Sequence, residues 1–264
     1  MSDLFDLSGK IAIITGGAGL LGPEHATALA NEGATVILAD VDKEKCDEVV
    51  AALLKDNINT VSKYCDVTSA DSWKNLLSNV VEQYDKVDIL INNAGFTNQT
   101  RSENYSAEFE DFPLVDWNAI MRVNLTGTFL GCQVIGKQML QQGQGCIINI
   151  ASLYGVVSPN HRLYPNTGIS QPVAYSVSKH GVIGLTKYLA TLWADRGVRV
   201  NALTPGGIYN NHNKIFSERF EQLSPIGRMS DKKELHGAIV YLASDASSHV
   251  IGHNLIVDGG WTVW

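Results

Sequence analysis

Short, nearly unbroken apolar runs alternate along this chain with longer segments whose apolar residues return every three or four positions. The runs at residues 11–14, 36–39, 60–65, 87–91, 146–150, 199–203 and 254–257 predict strands. Segments 23–31, 43–55, 71–84, 115–140, 173–194 and 232–243 predict helices. Residues 71–84 show the helical period plainly, with Trp73, Leu76, Leu77, Val80 and Val81 on one face. Strands that are apolar at successive positions are buried on both sides, as in parallel sheets. Strand and helix in alternation therefore predict a single-domain α/β fold, residues 1–264, with a doubly wound parallel sheet of about seven strands and helices on both faces. Two stretches break the rhythm. Residues 96–113 are rich in Asn, Thr, Ser and Glu, and residues 156–171 hold Pro159, Pro165, Asn160, Asn166, His161 and Arg162. A third polar stretch, 207–224, follows the sixth strand. Ligands in a wound sheet sit beyond the carboxyl ends of the strands, so all three stretches are expected to border a substrate.

Composition narrows the class. The 264 residues are 45% hydrophobic and 18% charged, enough for one sizeable core. The net charge is −7 and the lysines and arginines are scattered, which speaks against a nucleic-acid surface. No apolar run reaches membrane-spanning length, and the acidic opening Met1-Ser2-Asp3-Leu4-Phe5-Asp6 is unlike a signal peptide. The four cysteines, at positions 46, 65, 132 and 146, form no C-x-x-C pair. They are expected to be reduced and buried, and the chain cytoplasmic. Seven scattered histidines predict no structural metal.

The first strand runs into Thr15-Gly16-Gly17-Ala18-Gly19-Leu20-Leu21-Gly22 and then into a helix. Strand, glycine loop and helix together form a phosphate cradle, because glycine lets the backbone approach a pyrophosphate and the helix start offers unpaired N–H groups. Gly17–Gly22 satisfies G-x-G-x-x-G, and Pro23 sits in the first turn, where its missing N–H costs little. Asp40 ends the second strand, 18 residues beyond Gly22. A carboxylate there hydrogen-bonds ribose hydroxyls and repels a 2′-phosphate, so NAD is the expected cofactor rather than NADP.

Further along, Tyr175 and Lys179 are spaced i, i+4 on a predicted helix and share a face. An ammonium beside a phenol favours the phenolate, and such a tyrosine can exchange a proton with a substrate hydroxyl. Ser152 follows the fifth strand and can donate to a substrate oxygen. Asn124 sits inside an apolar helix face, where an amide needs a partner.

Thr15–Gly22, Asp66-Val67, Asn92-Asn93-Ala94-Gly95, Asn124, Ser152, Tyr175 with Lys179, Pro205-Gly206 and Asp258-Gly259 occur in the order found in short-chain dehydrogenases/reductases, and the resemblance covers essentially the whole chain. It implies a catalytic set of Asn124, Ser152, Tyr175 and Lys179. Tyr175 would be the general acid/base and Ser152 would polarise the reacting oxygen. Lys179 would bind the nicotinamide ribose and lower the Tyr175 pKa, and Asn124 would hold a water. Cofactor contacts are implied for Gly16, Gly19, Leu20, Leu21, Gly22, Asp40, Asp66, Val67, Asn93, Ala94, Gly95, Tyr175, Lys179, Pro205, Gly206 and Ile208. The chain departs from the family pattern in three places. The loop reads T-G-x-x-G-x-x-G, with Leu20 where the short branch has a glycine. Tyr175 follows Ser152 by 23 positions, a longer gap than usual, made by an insertion around 160–166. Where the family often has a carboxamide-contacting Thr after Pro205-Gly206, this chain reads Gly207-Ile208-Tyr209-Asn210, and Asn210 is the residue expected to take that role. The polar residues His161, Arg162, Asn210 and His212 point to a polyhydroxylated substrate such as a sugar or sugar derivative, and Arg162, Arg101 and Lys214 are expected to pair with a phosphate or carboxylate, as on a phosphorylated or nucleotide-linked sugar. Segments 160–165 and 209–212 resemble bacterial dehydrogenases of flagellin or surface-glycan sugar synthesis. The alternatives are a 3-oxoacyl-thioester reductase or other alcohol dehydrogenase of the same family, and a non-catalytic NAD-binding sensor or scaffold. A homodimer or homotetramer is expected by resemblance.

Overall fold

The computed structural model describes residues 3–96 and 107–264. Seven strands form one sheet: β1 (Ile11–Thr15), β2 (Thr35–Asp40), β3 (Thr60–Tyr64), β4 (Ile89–Asn92), β5 (Gly145–Ile150), β6 (Val198–Pro205) and β7 (Asn254–Val257). Their order is β3-β2-β1-β4-β5-β6-β7, and every neighbouring pair is parallel. The helices are α1 (Gly22–Asn31), α2 (Lys43–Lys55), α3 (Ala70–Tyr84), α4 (Leu114–Met121), α5 (Gly127–Gln142), α6 (Val173–Trp193), α7 (Lys214–Leu223) and α8 (His236–Ala243).

The alternation of side chains along each strand builds two apolar layers. Ala12, Ile14, Val36, Leu38, Ile89, Ile91 and Ile148 face Leu29 of α1, Val50 of α2 and Ile239 and Leu242 of α8. Ile11, Ile13, Ile37, Leu90 and Ile147 face Trp73 and Leu76 of α3, Ile135 and Met139 of α5 and Trp193 of α6. All four cysteines are buried and unpaired. Burial pushes the thiols of Cys46, Cys65 and Cys132 up to about 12, which leaves them inert hydrophobic fillers.

Because the strands are all parallel, their carboxyl ends share one edge. Thr15, Asp40, Asn92, Ile150, Pro205 and Val257 lie there. The chain winds from β1 out to β2 and β3, then returns to β4 on the other side of β1. That reversal leaves the crevice where wound sheets bind ligands.

Three expectations change. The helix expected over 115–140 is α4 and α5 joined by a π-helical turn, Arg122–Thr126, which inserts one extra residue and turns Asn124 into the interior. The helix expected over 232–243 starts as a 3-10 turn, Lys232–Leu235, held by a capping box between Asp231 and Glu234. The third substrate stretch, 207–224, is not loop throughout, since α7 fills its second half. Asn213 caps it by accepting the Ile215 N–H at 2.8 Å, and Phe216 and Phe220 bury its inner face. The first stretch, 96–113, falls largely outside the described residues, as does Arg101; its end carries a short turn, Phe109–Asp111.

Candidate active site

The glycine loop closes against the end of β4. Gly16 has φ +66°, and a Cβ there would lie 2.8 Å from Ala94 Cα. Gly22 opens α1, and a Cβ on it would lie 2.5 Å from the Gly16 carbonyl oxygen. Neither position admits a side chain without moving backbone. No side chain caps α1, whose N-cap is Leu21, so its first N–H groups and its positive end face the crevice with Gly19 and Leu20 exposed beside them. Asn93 fixes the loop from β4: its Nδ2 donates to the carbonyls of Thr15 at 2.9 Å and Gly16 at 3.2 Å. Thr15 Oγ1 in turn accepts the N–H groups of Asn93 and Ala94.

Asp40 reaches across from β2. One carboxylate oxygen accepts the Ala18 N–H at 2.9 Å and the other the Asp42 N–H at 3.0 Å. Its charge is thereby held at the mouth of the loop. At the tip of β3, Asp66 accepts from both the N–H and the hydroxyl of Thr68, and Val67 packs against Gly127 of α5. A narrow backbone cradle, an uncapped helix start and a fixed carboxylate one strand away fit a dinucleotide.

On the other side of the crevice, four polar residues converge. Asn124 is fully buried; its Oδ1 accepts the Phe96 N–H at 2.6 Å and its Nδ2 donates to Ser178 Oγ at 3.1 Å. Ser178 donates onward to the Tyr175 carbonyl at 2.7 Å. Lys179 is buried, and its Nζ donates to the Ile150 carbonyl at 2.7 Å, 5.8 Å from the centre of the Tyr175 ring. Ser152 lies beside the Tyr175 hydroxyl and accepts the Tyr154 N–H at 3.2 Å. Gly95 adjoins the group, since a Cβ there would lie 3.7 Å from Asn124 Oδ1 and 3.9 Å from Lys179 Nζ.

The electrostatics correct one expectation. Lys179 does not lower the Tyr175 phenol here. Burial raises it above the ordinary tyrosine value, and the hydrogen bond from Ser152 only partly offsets this. Burial also brings Lys179 down to about 8, and its ammonium is directed at the Ile150 carbonyl rather than the phenol.

The cofactor candidates after β6 and the substrate candidates divide. Pro205 ends β6, the Gly206 N–H donates to the Val257 carbonyl, and Ile208 bridges to Ser230. His212 is half-buried against Phe216, with ring centres 5.2 Å apart. His161, Arg162 and Asn210 are exposed. Among the described residues no hydrogen bond, ion pair or ring contact ties these three to the tetrad; His161 touches Tyr164, and the Asn210 N–H donates to His212.

The wall nearest the tetrad is instead aromatic. Leu153, Tyr154, Leu163, Phe216, Phe220, Met229 and Trp261 form one buried cluster, with Tyr164 and Tyr175 packed against it. Phe220 stacks on Trp261 at 4.2 Å and Tyr164 on Phe216 at 5.9 Å. Arg219 of α7 donates to the carbonyls of Leu163 and Pro165, clamping the insertion to the helix. Sequence reasoning missed this wall. The signal was the i, i+4, i+7 spacing of Phe216, Phe220 and Leu223 inside a stretch that otherwise looks polar. Among the described residues no group of three His, Cys, Asp or Glu side chains is arranged to hold a metal, and no helix is long and apolar enough to cross a membrane.

Known proteins share this fold and much of the sequence. Residues 18–262 match the family model described as enoyl-(acyl carrier protein) reductase. The chain is 36% identical to a D-threitol dehydrogenase of Mycolicibacterium smegmatis, over 98% of this chain and 95% of that one. It is 35% identical to a 3-oxoacyl-[acyl-carrier-protein] reductase of Thermotoga maritima, over 97% and 99%. A crystal structure of a gluconate 5-dehydrogenase from Burkholderia cenocepacia, in complex with NADP and tartrate, superposes with a TM-score of 0.86 at 31% identity, covering 99% of this chain and 98% of that one. The chain belongs to the short-chain dehydrogenase/reductase family. It is an oxidoreductase acting on CH–OH groups with a nicotinamide cofactor.

Proposed function

We propose that this chain interconverts a secondary alcohol and its ketone on a small polyhydroxylated compound, a sugar or sugar derivative, with NAD as the preferred cofactor. The observation that carries the cofactor reading is Asp40, whose carboxylate is held by two backbone N–H groups at the mouth of the glycine loop. A 2′-phosphate placed against it meets a like charge in a half-buried setting. The gluconate 5-dehydrogenase with NADP bound is the opposing consideration, since that relative accepts the phosphate.

In this reading the loop residues Gly16, Gly19, Leu20, Leu21 and Gly22 hold the pyrophosphate. Asp40, Asp66 and Val67 flank the adenosine, and Asn93 keeps the loop in place. Ala94, Gly95, Pro205, Gly206 and Ile208 border the nicotinamide with Tyr175 and Lys179. When bound, the cofactor supplies the site that accepts or gives the hydride. Tyr175 takes the proton of the substrate hydroxyl on oxidation and returns it on reduction. Ser152, beside the phenol, donates to the same oxygen. Lys179 anchors the end of β5 through Ile150 and presents its charge to a ribose. Asn124, tied to Phe96 and Ser178, sets the floor of the site.

The polyhydroxy reading is supported by the phenols of the wall and by the threitol and gluconate relatives. Surface-glycan precursors fall within this class on loop resemblance alone. A second reading, a 3-oxoacyl-thioester reductase, is favoured by the Thermotoga maritima relative and by the aromatic wall.

The test is nicotinamide reduction by the purified protein with polyols, sugar acids, sugar phosphates and nucleotide sugars, and the reverse reaction with a 3-oxoacyl thioester. Oxidation of a polyol or sugar is expected, with kcat/KM at least tenfold higher for NAD than for NADP, and rising with pH because a phenol raised by burial must lose its proton. Tyr175→Phe should lower kcat about 10²–10⁴-fold while NADH fluorescence titration shows unchanged binding. Reduction of the thioester alone, with NADPH, would overturn the proposal.

We also infer self-association as a dimer or tetramer. Leu114 and Val115 on α4, Phe129 on α5, and Val177, Tyr188 and Leu192 on α6 are exposed large apolar residues on the helices beside β4 and β5. Sedimentation equilibrium should give two or four chains; a monomer at micromolar concentration would refute it.

A further inference from the structure

The helix that opens from the glycine loop carries a carboxylate in its first turn. Glu24 is the third residue of α1, about 3 Å of helix rise past Gly22, and it is buried. An acid in a first turn suits the helix itself. It also competes with any other anion for the same positive end, so a pyrophosphate bound at that end meets a like charge. The next residue offers no counter-charge. His25 is fully buried with neither ring nitrogen hydrogen-bonded, and burial brings it down to about 3, so it stays neutral.

The counter-charge comes from the other end of the chain. Lys232 Nζ lies 2.7 Å from one Glu24 oxygen, and His236 Nε2 donates to the other at 3.0 Å. Both belong to the turn Lys232–Leu235 and the start of α8, which pack against α1. That segment is itself fixed. Asp231 and Glu234 close the turn as a capping box, and Arg228 donates to both Glu234 oxygens at 2.7 and 2.6 Å. Just before it, the Ser230 N–H donates to the Gly207 carbonyl at 2.8 Å, and the Ser230 carbonyl accepts the Tyr209 N–H at 2.9 Å. Residues 228–236 are therefore anchored beside Gly206 and deliver a lysine and a histidine to the start of α1.

We propose that Lys232 and His236 are positioning residues for the dinucleotide: they hold and neutralise the Glu24 carboxylate, so that the uncapped start of α1 presents its positive end to the pyrophosphate. The inference rests on the glycine loop being the pyrophosphate site. It makes the effect one of charge. Removing the Lys232 ammonium leaves Glu24 facing the phosphates with less compensation, and removing the Glu24 charge as well should cancel that loss. Lys232 is only partly buried, so salt should screen the effect.

The test is NADH fluorescence titration of the wild type, Lys232→Met, Glu24→Gln and the double variant, at low and at high salt. Methionine keeps most of the lysine stem and glutamine keeps the shape of glutamate; thermal melting without cofactor checks that each variant folds. Lys232→Met is expected to weaken NADH binding about three- to tenfold at low salt and distinctly less at high salt. Glu24→Gln alone should bind NADH at least as tightly as the wild type, and the double variant should return to within about twofold of it. A double variant as weak as Lys232→Met, or a tenfold loss in Glu24→Gln alone, would mean that the contact and not the charge matters, and overturns the proposal. Unchanged binding in Lys232→Met overturns it too, while a loss in Gly22→Ala measured alongside would leave the loop reading standing. If neither Lys232→Met nor Gly22→Ala alters NADH affinity, the loop is not the pyrophosphate site, and this inference falls with that reading.

Discussion

The two sides of the crevice are made of different material. On the β1–β2 side the site is backbone: Gly16 and Gly22 pressed against neighbouring main chain, a helix start without a cap, and one carboxylate held by N–H groups. On the β5–β6 side it is side chain: phenols, indole and phenyl rings from the turn after β5, the insertion, α7 and the C-terminal turn. A backbone cradle tolerates almost no substitution, because any Cβ displaces main chain. An aromatic wall tolerates change so long as volume and hydrogen-bonding tips are kept. One side can therefore serve a shared cofactor while the other varies with the substrate.

The sharpest way to break this comparison is Gly22→Ala. The new methyl meets the Gly16 carbonyl oxygen at 2.5 Å, so the loop has to move. NADH affinity is expected to fall at least tenfold, with a stability loss of about 1–3 kcal/mol; unchanged fluorescence titration would show that the cradle is not the binding surface. Phe220→Ala probes the other side. It removes a buried ring stacked on Trp261 and should cost about 3–5 kcal/mol by denaturant titration. At temperatures where it stays folded, NADH affinity should hold within about twofold while the substrate KM rises, a split that backbone damage would not produce. The smallest effect is expected for His161→Ala and Arg162→Ala. Both residues are exposed, so kcat/KM for a neutral polyol should change less than about twofold and stability by less than about 0.5 kcal/mol. A tenfold loss for either would move the substrate outward from the aromatic wall to the rim.

Legibility followed the same division. The strands were readable because parallel strands buried on both faces are apolar at consecutive positions, as in Ile11–Thr15 and Thr35–Asp40. The loop was readable because few residues but glycine fit its backbone, and Asp40 because its place follows from strand length. Tyr175 and Lys179 were readable as a pair from helical spacing, yet their electrostatic relation was not. Spacing puts them on one face; only the fold shows Lys179 bound to Ile150 and burial raising the phenol. The polar residues of the insertion were read as ligand contacts because loops near a site are informative. The structure exposes His161 and Arg162 and turns inward the apolar residue beside them, Leu163.

The C-terminal turn shows the same limit in miniature. Trp261 is buried on Phe220 of its own chain, while Trp264 is exposed and its indole donates to the Leu223 carbonyl. Both are tryptophans in an apolar tail, and nothing in their composition separates them. By itself the sequence determined the wound sheet, the glycine loop and the carboxylate at its mouth, because each depends on local backbone geometry or a fixed short spacing; Asn124 and Ser152 joined Tyr175 and Lys179 only through the family resemblance. Tertiary structure alone decided which residues of the substrate stretches face inward, the pairing of Tyr154 with Tyr164, and the direction of the Tyr175 shift. These depend on burial and on contacts between segments distant in the chain, and both are properties of the packed molecule.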